Sequence, residues 1–203
     1  MSGRLRLGVL GSGRGSNLDS IAAAIAKGEL HAEIRMVMSD SQDAGILEIA
    51  KKWNLPFGVI PESRFKTRLD VEIEEGLVRS LIAAGVEFVV LGGYMRMLKA
   101  PMLAAFPRAI VNIHPSLLPA FPGMEAWRRA LAAGVQVTGC SVHWVDGGMD
   151  TGAVIAQREV PVIEGDTPET LHARIQEAER ELYPEVLETI RRARVQASFP
   201  AEL

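Results

Sequence analysis

Three features of the sequence predict an α/β fold: a Rossmann-like, mostly parallel sheet with helices on both faces and an antiparallel C-terminal extension. Short apolar runs alternate with helix-periodic segments through the first hundred residues, the pattern of strands joined by crossover helices. A glycine-rich loop, Gly11-Ser12-Gly13-Arg14-Gly15-Ser16-Asn17, links the first run to the first helical segment, as in folds that hold an anion at a helix N-terminus. Two late strand-like runs are joined by a single turn, which makes them an antiparallel pair.

The first strand covers residues 5–10, and from Leu18 the positions of Ile21 and Ile25 predict a helix that stops at Gly28. A second strand spans 34–38 and ends at Ser39-Asp40. Ile46, Ile49 and Trp53 share one face of a second helix, closed by Asn54 and Pro56. Residues 57–60 form a third strand and 61–68 a polar, basic loop. Ile73, Leu77 and Leu81, spaced by fours, predict a helix over 71–84 with Gly85 behind it. The strand at 88–91 leads into Gly92-Gly93-Tyr94-Met95-Arg96-Met97-Leu98, and the run after Ala109 is the fifth strand. Pro122-Gly123 marks a turn, and 125–133 a short helix ended by Gly134. Strands at 138–145 and 154–162 flank a glycine-rich turn. Asp166 or Thr167 caps a last helix with Pro168 in its first turn and Leu171, Ile175, Ala178 and Leu182 on its apolar face.

The bulk properties narrow the class. A length of 203 residues suits a single domain over 1–203, and 48% hydrophobic with 23% charged residues argues against disorder. The net charge of -3 supplies no global field to recruit nucleic acid or an anionic membrane. One cysteine, Cys140, excludes an internal disulfide and a Cys-rich metal site. The N-terminal apolar run is too short for a signal-peptide core, and no stretch is long enough to span a bilayer. The expectation is a cytoplasmic protein without membrane or nucleic-acid partners.

Chemistry concentrates at Ile110-Val111-Asn112-Ile113-His114-Pro115-Ser116. Asn112 and His114 lie two apart, so on a strand they project from one face. Pro115 keeps His114 extended at the strand's end, where α/β sheets meet their ligands. The alternative is a satisfied core histidine. No Gly-x-Ser-x-Gly elbow is present, Cys140 lies inside a strand, and His143 reads as structural. His114 and His143 lack the spacing of a zinc site and no third ligand accompanies them, so no metal is expected. That leaves His114 as a proton carrier for a substrate, with Asn112 stabilising oxyanion charge. Asp150, in the late turn, is the candidate carboxylate to raise the imidazole pKa; otherwise it bonds its own turn.

In the glycine loop Ser16 stands where a dinucleotide fingerprint has its third glycine, and no Lys-Ser/Thr pair follows. Ser16 and Asn17 either cap the helix or hold a phosphate monoester. Asp40 stands where a nicotinamide enzyme grips a ribose, which supports a rival oxidoreductase reading. A non-catalytic phosphate-binding module is a third. Gln176 and Glu179 form an i, i+3 pair beside the last helix's apolar face, with Glu179 either a solvated charge or the receiver of a substrate ammonium.

Gly13-Arg14-Gly15-Ser16-Asn17-Leu18, Gly93-Tyr94-Met95-Arg96-Met97-Leu98, Asn112-Ile113-His114-Pro115-Ser116-Leu117-Leu118-Pro119, Ser141-Val142-His143 and Met149-Asp150-Thr151-Gly152 follow one another in that order. Together they resemble the 10-formyltetrahydrofolate-using formyltransferases, and within them the phosphoribosylglycinamide formyltransferases of purine synthesis. The similarity runs over about 5–187. Methionyl-tRNA formyltransferase and formyltetrahydrofolate deformylase resemble the chain more narrowly and carry additional domains for which 203 residues leave no room. Deformylase or another formyltransferase remains the nearest alternative activity.

The resemblance implies glycinamide ribonucleotide and 10-formyltetrahydrofolate, the latter a co-substrate, as partners of a monomer or homodimer. It divides the chain into a phosphate-binding half, about 1–100, and a catalytic and folate-binding half, about 101–203. It implies that Gly15, Ser16 and Asn17 cradle the phosphate and that Gln176, Glu177, Ala178 and Glu179 bind the same substrate. The folate falls to Met95, Arg96, Met97, Leu98 and Asn112 on one side and Asp146, Gly147, Gly148, Met149 and Asp150 on the other. Arg68 matches a basic residue near the folate, with Arg64 and Lys66 as competitors. Asn112, His114 and Asp150 match the catalytic set, acting by direct attack without an acyl-enzyme. Where some relatives carry histidines after the Pro-Gly turn, this chain has Glu125 and Trp127.

Overall fold

In the computed structural model, which describes residues 3–197, the chain leaves a central strand in one direction and returns to its other side. The strands are β1 (Leu5–Leu10), β2 (Ala32–Ser39), β3 (Phe57–Val59), β4 (Phe88–Leu91), β5 (Ile110–His114), β6 (Val137–Trp144) and β7 (Val154–Pro161). The helices are α1 (Ser16–Lys27), α2 (Gly45–Lys52), α3 (Val71–Ala83), α4 (Ala100–Ala105), α5 (Ala126–Ala132) and α6 (Pro168–Ala197). The sheet order is β3-β2-β1-β4-β5-β6-β7. β1 to β5 pair in parallel, and β6 and β7 are antiparallel. The order reverses between β1 and β4, so a crevice opens beyond their carboxyl ends, the usual ligand site of such sheets.

α1 packs on α2 and α6, and α6 on α5, while α3 packs on α4. Right-handed crossovers put these two groups on opposite faces. Both faces being covered, the central strands are apolar throughout: Leu7, Phe88, Val89, Val90 and Val111 are fully buried, each contributing about 1.5–3 kcal/mol. Tyr183 of α6 is also fully buried, and its hydroxyl donates to the Leu91 and Val111 carbonyls at 2.9 and 3.1 Å. It bridges β4 and β5 where the sheet opens toward the crevice.

The predicted elements form with ends shifted by a residue or two, except that α4 has no counterpart in the sequence reading. Its start is fixed from a distance, since the Lys99 N–H donates to Glu74 Oε1 on α3 at 2.6 Å. Glu74 is buried, and desolvation raises its carboxyl above the usual range although the bonds from Lys99 and Met102 oppose the rise. Thr167 caps α6, as expected: the Thr170 N–H donates to Thr167 Oγ1 and the Thr167 N–H to Thr170 Oγ1.

Candidate active site

At the start of α1, neither Ser16 nor Asn17 caps the helix. Gly15 takes the N-cap position with φ 83°, and no side chain caps the first-turn amides. Any Cβ at residue 15 would lie 2.6 Å from Ile46 Cα, so the loop needs glycine for its left-handed turn and for the close approach of α2. The amides of the first turn are left facing the crevice end of the sheet, where the helix dipole favours an anion. Ser12 ties this loop to the segment after β4: its N–H donates to the Gly93 carbonyl at 3.1 Å, and its Oγ accepts the Met95 N–H at 3.0 Å.

Helix α6 closes the loop from the other side. Arg14 donates to Gln176 at 3.3 Å, and Asn17 Nδ2 lies 3.5 Å from Glu179 Oε2. Glu179 is buried, and desolvation pushes its carboxyl up to about 7, with Asn17 opposing. Asn17 Oδ1 is buried without a partner. A ligand that donates hydrogen bonds could satisfy both groups at once.

Asn112 and His114 share one face of β5, and the antiparallel register sets Asn112 opposite His143 and His114 opposite Ser141. His143, read from sequence as structural, therefore joins the cluster: Asn112 Nδ2 lies 3.2 Å from His143 Nε2. Asp150 reaches both rings, 3.3 Å from His114 Nδ1 and 3.5 Å from His143 Nε2. It does not close its own turn. That is done by Asp146, which accepts the Gly148 N–H and the Thr151 hydroxyl. Asp150 instead adopts φ 54° and accepts the Gly123 N–H at 2.7 Å.

Two carbonyls fix the tautomers. His114 Nε2 lies 2.9 Å from the Phe121 carbonyl and His143 Nδ1 2.9 Å from the Trp144 carbonyl. A carbonyl only accepts, so both of these nitrogens carry hydrogen. In the neutral rings the lone pairs then point inward: that of His143 takes an Asn112 N–H, and that of His114 faces Asp150. A proton gained by His114 goes to Nδ1, against the carboxylate. Burial pushes the His114 imidazole below its usual value, and Asp150 recovers only part of the loss. The net direction is opposite to the rise expected from a nearby carboxylate, because desolvation outweighs it. Asp150 is itself driven up by burial, but the His143 and His114 rings in their protonated forms, with the Gly123 N–H, hold it below the usual carboxylate range.

These groups line one cavity of about 250 Å³ together with Gly93, Tyr94, Met95, Arg96, Met97, Leu98, Trp127, Asp146, Gly148 and Met149. Met95, Met124 and Met149 stand exposed at its rim, a deformable apolar surface suited to a flat ring. Met97 lines the wall, while Arg96 turns its guanidinium inward. Its Nε lies 2.5 Å from Asp40 Oδ2, and Nη1 donates to the Phe65 and Arg68 carbonyls. The carboxylate expected to grip a nicotinamide ribose is thus paired with Arg96 and its free oxygen is buried, away from any ribose, and the oxidoreductase reading loses its support.

A sequence match covering residues 5–187 is to a family described as formyl transferase. The chain belongs to the formyl transferase family. Among the relatives, phosphoribosylglycinamide formyltransferase of Bacillus subtilis is 36% identical over 91% of this chain and 94% of its own length. The trifunctional purine biosynthetic protein adenosine-3 of Drosophila pseudoobscura pseudoobscura is 44% identical over 91% of this chain, but the chain spans only 14% of that protein. The crystal structure of glycinamide ribonucleotide transformylase 1 from Symbiobacterium toebii superposes with a TM-score of 0.90 at 43% identity, covering 96% of this chain and 91% of that one.

Within this formyl transferase fold, not every residue matched to a ligand reaches the crevice. Arg68 is exposed outside the cavity wall, paired by backbone to Met97 and stacked 4.1 Å above the Phe65 ring. Arg64 is bound to Asp70. Gly147 is exposed and off the wall. Glu177 is exposed, near enough to Arg174 to favour its charged form, and Ala178 packs into the core. On α6 the residues facing Arg14 and Asn17 are Gln176 and Glu179. Trp127 stacks on His172 at 3.7 Å between centroids with planes 2° apart, which makes this flank of the site aromatic. Among the described residues no helix is long and apolar enough to cross a membrane.

Proposed function

We propose that this chain transfers the formyl group of 10-formyltetrahydrofolate to the amine of glycinamide ribonucleotide. The observation that carries the reading is the cluster of Asn112, His114, Asp150 and His143 in a cavity that borders the glycine loop. It stands in a chain matching nearly the full length of a phosphoribosylglycinamide formyltransferase. The nucleotide phosphate sits on the amides of Gly15, Ser16 and Asn17, and Glu179 with Gln176 receives the rest of that substrate. The pterin enters between Met95–Leu98 and Asp146–Asp150 with the methionine rim against it.

The reaction is direct. The amine attacks the formyl carbon, a carbon–nitrogen bond forms, and the carbonyl oxygen gains charge. One Asn112 N–H is engaged by His143, leaving the other for that oxygen. The Nε2–H of His114, held on the Phe121 carbonyl in the empty site, is the second donor the oxygen competes for. Lowered by burial, the His114 ring is neutral at neutral pH and takes the amine's proton on Nδ1, where Asp150 stabilises the imidazolium. The carbon–nitrogen bond to the folate then breaks, and the proton passes to the departing nitrogen. Holding two ligands in register supplies a large share of the rate.

Mixing the two substrates with the protein is expected to release tetrahydrofolate, followed by absorbance, and His114→Ala to lose about 10²-fold or more in kcat. No turnover of this pair by the wild-type protein would reject the proposal.

A further inference from the structure

The Phe121 carbonyl that fixes the His114 tautomer is held by a residue to which neither the sequence nor the reading above gives a task. Arg129, on α5, donates from Nη2 to Phe121 O at 3.1 Å and also bonds the Pro122 carbonyl. The same Phe121 oxygen takes His114 Nε2 at 2.9 Å and lies 3.4 Å from the Ser116 hydroxyl. The Ser116 hydroxyl gives its one hydrogen to the Ala120 carbonyl at 2.6 Å, so His114 and Arg129 are the two donors that fill the two lone pairs of the Phe121 oxygen. The segment they hold is one that would not hold itself. Phe121 and Glu125 have φ of 54° and 53°, in the left-handed region that side chains avoid, with Gly123 at 81° between them.

We propose that Arg129 is a positioning residue of the transfer site: by clamping the Phe121 carbonyl it fixes which nitrogen of His114 carries the resting proton and keeps that N–H releasable to the substrate. The clamp works in two ways. It orients the acceptor, so the ring presents Nε2–H and leaves Nδ1 toward Asp150. It also shares the acceptor, and a carbonyl oxygen already polarised toward a cationic donor binds a second donor less strongly, so the bond that His114 must give up is weaker than one to an unshared carbonyl. The proposal rests on the reading that His114 donates and accepts protons in formyl transfer.

The charge of Arg129 acts on the same ring. It disfavours the imidazolium, as His143 does, while Asp150 favours it. The other charged groups around the cavity are Asp146 on the β6–β7 loop, Glu125 ahead of α5, and Arg96 beyond β4, the last neutralised by Asp40. Glu125 pairs with Arg128 at 3.0 Å, which leaves Arg129 as the α5 cation directed at the Phe121 carbonyl.

The test compares Arg129→Met, which keeps the aliphatic stem without charge or donors, with Arg129→Lys, which keeps the charge without the planar fork. Arg129 is exposed, and circular dichroism verifies that both variants fold. Nitrogen-15 NMR of the histidine rings, without substrate, reads the tautomer and titration of His114. Wild type is expected as Nε2–H. Arg129→Met is expected to mix the tautomers and titrate at higher pH, and Arg129→Lys to keep the wild-type titration while losing tautomer purity. In turnover, Arg129→Met is expected to lose roughly tenfold in kcat with the glycinamide ribonucleotide KM unchanged, and the acid limb of its pH profile to move upward. An Arg129→Met protein whose His114 resonances, titration and acid limb all match wild type overturns the proposal. The NMR changes appearing in a protein that never turns over would uphold the clamp and reject the formyl-transfer reading.

Discussion

Glu179 is a carboxyl that the fold holds at a cost, and changing it to glutamine measures that cost. In the unfolded chain the group ionises near 4.5; in the fold, burial carries it to about 7. Between those values the folded state binds the extra proton, so this group's contribution is fully present below 4.5 and is lost as pH rises through 7. The loss, complete above about pH 8, is at most about 3 kcal/mol for a rise from 4.5 to about 7. Glu179→Gln keeps the shape and the polar contact to Asn17 but cannot ionise. The variant should match wild type below about pH 4.5 and exceed it progressively as pH rises from there to about 7. By pH 8.5 it should melt higher by roughly 6–12 °C, using about 2–4 °C per kcal/mol for a domain of this size. Thermal unfolding by circular dichroism at half-unit pH steps gives the curve directly. The same variant should raise the glycinamide ribonucleotide KM with a smaller effect on kcat, because an ionised carboxylate bound to substrate donors is replaced by a neutral amide. Parallel melting curves for the two proteins from pH 5 to 8.5 would refute the argument, since they would mean the carboxyl ionises in the fold as it does in water.

Two other expectations follow from buried polar contacts. Arg96→Met leaves the Asp40 carboxylate without its counter-ion in a pair whose side chains are 14% and 11% exposed; the expected loss is about 3–5 kcal/mol, read by urea unfolding. Adding Asp40→Asn should recover much of it, and a double variant no more stable than the single would contradict the assignment. Tyr183→Phe removes the hydroxyl that bridges the Leu91 and Val111 carbonyls and should cost about 1–3 kcal/mol; unchanged stability would show that the bridge contributes nothing.

The parts of the site that sequence made legible are those written in local spacing. Asn112 and His114 lie two apart before a proline, so a strand assignment alone puts them on one face at its end. The glycine loop declares itself by its position between a strand and a helix, and Asp150 by its place in a glycine-rich turn. What stayed hidden depends on partners distant in the chain. α4 is short, and its start is fixed by Glu74, 25 residues earlier. Asp40 looked free for a ribose because nothing near it in sequence announces Arg96, 56 residues on. Arg129 reads as one of two surface cations on a short helix until the loop of Phe121 folds back onto it.

His143 is the instructive omission, because its alternation with Val142 and Trp144 was visible but its face was not. A strand's side chains are assigned to a face only once its register is known, and a slip of one residue would send His143 away from Asn112 and bring Val142 or Trp144 in its place. Two features outside the lining of the cavity set that register. Ser141 donates to the Ser116 carbonyl at 2.6 Å and accepts the Leu118 N–H at 3.0 Å, pinning β6 to the loop after β5, while Gln157 on β7 bonds both Ser141 and the Leu118 carbonyl. Gly139 lets β7 come close enough for this, since a Cβ there would lie 2.0 Å from the Arg158 carbonyl oxygen. The second histidine therefore reaches Asp150 through a hairpin alignment that a serine, a glutamine and a missing methyl group maintain together. Substitutions at Ser141 or Gln157 should accordingly disturb the proton-handling cluster without touching either substrate, whereas an exposed position of the same hairpin such as Val137 has no comparable route to it.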